Sequence, residues 1–335
     1  MNPNNDNIAS WPAAAREFLD RWLDNSDFIE VQTSGSTGTP KKIHLLKEDM
    51  RRSALVTNEF FNIGSDSILA CPLSPEYIAA KMMVVRSVMS GAKLWFETPS
   101  AKPLTDFDGP QIDLLAIVPY QSEGLRQRLA DTSRPLKVKQ IIVGGAPLTP
   151  GQMQILEDLP SHVYATYGMT ETSSHVALLD ISAGHVLYKA LPGHTFANDD
   201  RGCLVITNPE RSWSPVVTND IAEVTDSQQF ALFGRIDHII NSGGVKVIPE
   251  TVEERIHHHW PDLDCYVTSR PHPELGSEVV LVVDSAAELP SDFTLESMRE
   301  KAGLLLTGKY WLPRAIIRRP IHRTPNGKLR RDPIQ

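Results

Sequence analysis

Residues 138–172 read VKQIIVGGAPLTPGQMQILEDLPSHVYATYGMTET. The apolar run at 138–143 predicts a strand that ends in Gly144-Gly145. A helix is expected near 149–159 and a second strand at 162–166, so the stretch is a strand–helix–strand crossover of the kind that joins parallel strands. Toward the N-terminus the alternation continues. Strands are predicted at 112–118, 92–96, 67–73 and 27–32 (DFIEVQ), and helices at 120–131, 77–90 (ended by Gly91) and 47–61. Before them, Ser10 can cap a helix with Pro12 in its first turn and Trp11, Ala15, Phe18, Leu19 and Trp22 at helical spacing. Alternating strands and helices imply an α/β fold with parallel pairs.

Beyond about Gly184 the pattern changes. Strands at 203–207, 222–224 and 230–234 lie close together without helices between them. A boundary near Arg235-Ile236-Asp237 divides a large unit, 1–235, from a small one, 236–335. The small unit carries a β-turn at Ser242-Gly243-Gly244 and a helix from Pro249 with Val252, Ile256 and Trp260 on one face. A strand at 278–283, a helix at 295–306 and a strand at 315–318 complete an α+β unit. There is no internal repeat and no low-complexity tract.

The chain has 335 residues, enough for two domains and a large core without disulfides or metals. It holds 33 Lys and Arg against 41 Asp and Glu, a formal charge of −8, which argues against a general nucleic-acid binder. Its longest apolar runs fall well short of a membrane span, and the polar N-terminus lacks a signal-peptide pattern. The three cysteines, Cys71, Cys203 and Cys265, form no CxxC pair. Buried thiols in a reducing compartment, the cytoplasm, are expected.

Four segments carry chemistry. The first is Thr33-Ser34-Gly35-Ser36-Thr37-Gly38-Thr39-Pro40-Lys41-Lys42. Its glycines would let backbone N–H groups approach a phosphate, with hydroxyls and Lys41 as further donors; the plain alternative is a flexible surface loop. It is not a Walker A loop, whose glycine and lysine spacing differs. The second ends the opening stretch, where Tyr167-Gly168 is followed by Thr170 and Glu171. A hydroxyl and a carboxylate at a parallel strand's end can meet phosphate and Mg²⁺, or simply face solvent. The third is Gly234-Arg235-Ile236-Asp237 with the glycine pair that follows. The fourth is Pro325-Asn326-Gly327-Lys328, inside a stretch, 318–331, with six Arg and Lys and no acid. Such a stretch attracts phosphates or is a solvated tail.

In this order the segments resemble the AMP-forming acyl- and aryl-CoA synthetases, an adenylate-forming family, over about residues 28–331. The family's phosphate loop, [ST]-[ST]-G-[ST]-T-G-x-P-K, is matched at every position from Thr33 to Lys41. Its Y-G-x-T-E motif is matched by Tyr167, Gly168, Thr170 and Glu171. Its T-G-D motif stands as Thr218-Asn219-Asp220, with Asn in place of Gly. G-R-x-D and P-x-x-G-K are matched by Gly234 to Asp237 and by Pro325 to Lys328.

The resemblance implies a large adenylate-forming domain with mixed sheets and a small mobile C-terminal domain. It implies two steps with ATP, Mg²⁺ and CoA: acyl-adenylate formation with release of pyrophosphate, then transfer of the acyl group to a thiol. Lys328 would bridge carboxylate and α-phosphate. Glu171 would hold Mg²⁺, and Thr170 would contact the α-phosphate. Lys41 with Thr33, Ser34, Gly35, Ser36, Thr37 and Gly38 would grip the β,γ-phosphates. Gly144, Gly145 and Ala146 would lie along the adenine, with Tyr167 and Gly168 beside them and Asp220 and Arg235 on the ribose. Asp237 would be the hinge that withdraws Lys328 and brings Ser242, Gly243 and Gly244 toward the thiol.

Two departures narrow the substrate. The phosphate loop stands almost at the start of the chain, so much of the family's N-terminal subdomain is expected to be absent; the acyl pocket would be more open, or a homodimer would cover it. The family's P-L-x-H histidine is replaced by Pro72-Leu73-Ser74-Pro75, followed by Tyr77-Ile78-Ala79-Ala80-Lys81-Met82-Met83. Both features are similar to the short o-succinylbenzoate–CoA ligases of menaquinone biosynthesis, whose aromatic substrate is a dicarboxylate. Ser74, Tyr77 and Lys81 are candidate acid-binding residues, and Lys81 or Arg86 would meet the second carboxylate; alternatively Lys81 is a helix lysine reaching solvent. Another acyl-CoA synthetase, or an adenylating enzyme that loads a carrier-protein thiol, shares the same motifs. A non-catalytic nucleotide binder is disfavoured by the presence of Lys328, Glu171 and Lys41. Three further features read as structural: His257-His258-His259 as a helix surface rather than a metal site, 211–215 as a loop with an exposed Trp, and 310–313 as packing for the small unit's core or its interface with the large one.

Overall fold

The computed structural model describes residues 8–32, 41–303, 308, 310–323, 329–331 and 334. The first element is α1 (Ala13–Leu23), which buries Ala15, Phe18, Leu19 and Trp22 as their spacing predicts. Pro12, not Ser10, occupies its N-cap; Ser10 belongs to a short 3-10 turn just before it. The Trp11 indole donates to the Leu94 carbonyl at 3.0 Å, which pins the start of the chain to the sheet.

Next come β1 (Phe28–Gln32) and β2 (Lys42–Leu46), an antiparallel ribbon. The second strand of this ribbon is not anticipated by the sequence reading. There follow α2 (Lys47–Phe60), β3 (Ile68–Cys71), α3 (Ile78–Ser90), β4 (Lys93–Phe96), β5 (Gln111–Ile117), α4 (Ser122–Ala130), β6 (Lys137–Val143), α5 (Pro150–Glu157) and β7 (His162–Met169). Gly91 ends α3 at φ 75°, donating to the Ser87 carbonyl at 2.9 Å, a left-handed cap that any side chain would strain. Thr149 and Gln152 form a reciprocal capping box on α5.

Antiparallel strands then begin earlier than the sequence reading places them: β8 (Ser174–Asp180) pairs back on β7 after a four-residue turn. They continue as β9 (Tyr188–Ala190), β10 (Thr195–Asn198), β11 (Cys203–Thr207), β12 (Val216–Asp226) and β13 (Gln229–Arg235). Among the described residues these join one mixed sheet in the order β10-β11-β12-β13-β9-β8-β7-β6-β5-β3-β4, parallel from β4 to β7. One core, containing Phe18, Met50, Met82 and Val85, packs α1, α2 and α3 on one face of the parallel part. A second, containing Leu125, Leu156 and Ile141, packs α4 and α5 on the other. With both faces covered, β5 is buried along nearly its whole length and β6 over its last three residues, Ile141 to Val143.

The remaining elements form a second sheet with its own core around Val252, Ile256, Val267, Leu281 and Met298. They are β14 (Ile240–Ser242), β15 (Val245–Val247), α6 (Pro249–His259), β16 (Cys265–His272), β17 (Gly276–Asp284), α7 (Leu295–Gly303) and β18 (Ile316–Arg319). The order is β15-β14-β17-β16, with β18 parallel to β17. Gly243 and Gly244, at φ 58° and 82°, supply the turn between β14 and β15. Strand β16 is also unanticipated, and the end of the helix expected at 295–306 lies outside the described residues. All three cysteines are buried and free. No described helix is long and apolar enough to cross a membrane.

Candidate active site

In an open parallel sheet the carboxyl ends of the strands face a common crevice, where ligands bind. Five segments leave the sheet there: 72–77 after β3, 97–110 after β4, 118–121 after β5, 144–149 after β6 and 170–173 after β7. Gly144 is needed for close packing, since a Cβ there would stand 2.2 Å from Thr166 Oγ1. Gly145 is left-handed at φ 89°. With Ala146 they form an open edge at the end of β6, where an adenine is expected. Gly168 lets β7 and β8 cross closely; a Cβ would meet the Ser174 carbonyl at 2.2 Å.

The Y-G-M-T-E-T stretch is a tight hairpin rather than a simple exit loop. Ser173 N donates to Thr170 O at 3.0 Å. The Thr172 hydroxyl accepts from Met169 N at 3.1 Å and donates to Ser174 O at 2.7 Å. This fastens Thr170, 9% exposed, and leaves Glu171 exposed at the tip. No hydrogen bond or ion pair among the described residues engages the Glu171 carboxylate, so its hard oxygens suit Mg²⁺.

A polar chain runs from β7 to the boundary between the sheets. Tyr167 is buried, and its hydroxyl donates to Asp220 Oδ2 at 2.7 Å. Burial first, and the Asp220 carboxylate next, push the Tyr167 phenol well above its ordinary value, so it stays a donor. Arg235 donates to Asp220 Oδ1 at 2.8 Å and to Asp237 Oδ2 at 2.7 Å. Burial opposes the Asp237 charge, but the hydrogen bonds of Arg235 and Asn219 hold its carboxyl below the usual carboxylate range. Tyr167, expected along the adenine, thus also holds Asp220, the carboxylate expected on the ribose.

The acid-pocket candidates separate. Ser74 and Tyr77 sit half-buried on the segment after β3. That segment is held from two sides: Gln121 Nε2 donates to Pro72 O at 3.0 Å, and Lys81 Nζ donates to Pro75 O at 2.9 Å and to Glu76 O. Lys81 is 7% exposed and burial lowers its pKa to about 8, so it is not a helix lysine reaching solvent. Its ammonium is occupied by backbone carbonyls.

Arg86 is the unusual cation. It is 1% exposed and no carboxylate pairs with it among the described residues; burial pulls its pKa down to about 10. Nη2 donates to Ser174 Oγ at 2.8 Å, beside the Thr170 hairpin, while Nε has no partner. Asn58 Oδ1 and Ser173 Oγ close by are also buried and unpartnered. His175 lies in the same group. Its Nε2 is 3.1 Å from Thr57 Oγ1, whose own proton goes to Ser53 O at 3.0 Å, so the imidazole is the donor. Buried charge without an acid is costly, so among the described residues the cluster holds a cation that an anion would satisfy.

Of the thiol-side candidates, Gly243 and Gly244 are exposed, but Ser242 is 1% exposed. Lys41 is exposed at the start of the ribbon's second strand. Thr33, Ser34, Gly35, Ser36, Thr37, Gly38 and Lys328 lie outside the described residues. A recess of about 630 Å³ lined by Trp22, Asp24, Lys47 and Arg51 lies at the opposite end of the β1–β2 ribbon from that loop, away from the crevice. His257 is buried, not on the helix surface: Nε2 bonds the Leu263 carbonyl at 2.9 Å. No metal-ligating cluster occurs among the described residues. Trp213 is partly buried and stacks on His194. Sequence reasoning missed Asn219 and Gln121; for Asn219 the departure from T-G-D was the available signal.

A profile of AMP-binding enzymes matches residues 11–198. The chain is 30% identical to a solved acyl-CoA synthetase (AMP-forming)/AMP-acid ligase II-like protein from Dyadobacter fermentans. That likeness spans 99% of this chain and 94% of the other, with TM-score 0.61. It is 26% identical over 296 residues to the probable 2-succinylbenzoate–CoA ligase of Mycobacterium tuberculosis (strain H37Rv), covering 83% of this chain and 76% of the relative. Its fold is similar to that of an o-succinylbenzoate CoA synthetase from Bacillus subtilis in complex with its acyl-adenylate, at TM-score 0.73, 17% identity, and 90% and 67% coverage.

Proposed function

The chain belongs to the AMP-binding enzyme family, and from that premise we propose that it is an acid–CoA ligase whose substrate is an aromatic dicarboxylate, o-succinylbenzoate. The observation that carries the reading is Arg86: a buried guanidinium with an unpartnered Nε and, among the described residues, no acid, its Nη2 on Ser174 beside the Thr170–Glu171 hairpin. A monocarboxylic acid would leave that charge unmatched; a second carboxylate would satisfy it. The relatives named as 2-succinylbenzoate–CoA ligases point the same way.

The chemistry follows from the residues. In the first step a carboxylate oxygen attacks the ATP α-phosphorus and pyrophosphate leaves. Two anions meet, so catalysis is positioning and charge neutralisation. Lys328 would bridge them, Thr170 would contact the α-phosphate, and the loop from Thr33 to Lys41 would grip the outgoing phosphates. Asp220 takes the ribose hydroxyls, held in place by Tyr167 and Arg235. Gly144, Gly145 and Ala146 lie along the adenine. Glu171 would hold Mg²⁺, which would supply charge to offset the phosphates. In the second step the CoA sulfur, having lost its proton, attacks the acyl carbon and AMP leaves. Residues 236–335 turn about Asp237 between the steps, withdrawing Lys328 and presenting Gly243 and Gly244 toward the thiol.

The test is pyrophosphate release with ATP and Mg²⁺ over o-succinylbenzoate, benzoates and fatty acids, followed by product analysis with CoA. The expected result is turnover on o-succinylbenzoate that ends in a CoA thioester. Turnover confined to monocarboxylates would refute the substrate. Acyl-adenylate that forms but is never passed to CoA would favour a carrier-protein thiol as the acceptor.

A further inference from the structure

Asn219 stands on β12 where the resembled ribose motif has glycine, and its side chain spans two charged groups. Its Oδ1 accepts from Arg201 Nη1 at 3.2 Å, and its Nδ2 donates to Asp237 Oδ1 at 3.0 Å and Oδ2 at 3.2 Å. The amide has one way to sit: its carbonyl faces a guanidinium and its NH₂ faces a carboxylate. Arg201 is itself fixed, by Asp199 Oδ2 at 2.8 Å and by the Thr218 carbonyl at 3.0 Å. Asp199 also accepts from the backbone N–H groups of Arg201 and Cys203. A rigid relay therefore runs from the β10–β11 turn through Asn219 to Asp237.

We propose that Asn219 is a positioning residue that tethers the hinge carboxylate of Asp237 to the large sheet and slows reorientation of the small unit. A glycine at 219 could make neither bond. The residues just past Asp237 go with the small unit: His238 pairs with Glu250 on α6, which also meets Arg331 at 3.4 Å. Turning about the N–Cα bond of Asp237 carries its carboxylate away from Asn219, so in that rotation these bonds break as the unit moves. The other bond on that carboxylate, from Arg235 within the motif, is present whatever stands at 219. The inference rests on the two-orientation reading above.

The test uses the full chain with Asp158→Cys and Glu274→Cys, exposed positions on the two units, labelled for energy transfer; the native thiols are buried. ATP, Mg²⁺ and o-succinylbenzoate are mixed in first, then CoA, and the rate of the distance change is followed. In Asn219→Gly the change is expected to be about 2- to 10-fold faster, the span set by an ordinary hydrogen bond. Asn219→Ala, which keeps a strand-compatible Cβ, should do the same and controls for a weakened strand. Distances that switch in the parent at a rate neither variant alters would overturn the tether and leave the two orientations standing. A parent whose distance never changes, although pyrophosphate is released, would overturn both. A lowered melting temperature with an unchanged rate would mean a merely structural asparagine and also overturns the proposal.

Discussion

Arg86 and Lys81 lie on one helix, five residues apart, and their surroundings give them different work. Arg86 has a free donor, no carboxylate partner among the described residues, and a bond to Ser174 beside the Thr170–Glu171 hairpin. Lys81 spends its protons on the Pro75 and Glu76 carbonyls, which shapes the segment carrying Ser74 and Tyr77. Arg86→Met should raise the Michaelis constant for o-succinylbenzoate by about 10- to 150-fold, the range for a hydrogen bond to a charged group, and barely alter that for benzoate. Lys81→Met should change both acids alike, because it disturbs a wall rather than a contact. Steady-state kinetics on the two acids checks this; equal effects of Arg86→Met on both would remove Arg86 from the pocket.

At the scale of elements, α2 packs on β8 through buried polar groups, and His175 is the sensitive one. Burial first, then the Arg86 charge and His194, hold its pKa well below the ordinary 6.5. The folded state thus refuses a proton that the unfolded chain accepts. Stability should fall as pH drops through and below about 6.5, and be unaffected by this group above that. Denaturant titrations from pH 5 to 8 should show the slope in the parent and a shallower one in His175→Gln; parallel slopes would assign the acid sensitivity elsewhere. The parallel part of the sheet was legible because its strands are buried on both faces and punctuated by Gly91 and Gly144. Strand β8 was not, although four residues are too few for a parallel crossover. Strand β16 hid behind Pro271, which is tolerated because β16 is paired on one side only. Strand β2 pairs with β1 alone, and its five residues run straight into α2.

At the scale of the whole molecule, the motifs scattered from Thr33 to Lys328 point to one chemistry, and the described part of the fold gathers Gly144, Tyr167, Thr170, Asp220 and Arg235 at the sheet's carboxyl edge and the boundary beside it. That much was readable as ordered motifs. What was not readable is how the parts are fastened: Tyr167 to Asp220 across 53 positions, or Asn219 to Asp237 across 18, depend on register that only folding creates. In the proposed mechanism one chain divides two reactions between a fixed site and a lysine that comes and goes. The measurement that tests it most directly is Lys328→Ala assayed separately in each half-reaction. Acyl-adenylate formation should fall by about 100- to 1000-fold, the range for removing one transition-state charge partner. Thioester formation from preformed acyl-adenylate and CoA should stay within roughly threefold of the parent. An equal loss of both half-reactions in a variant that folds normally would contradict the account.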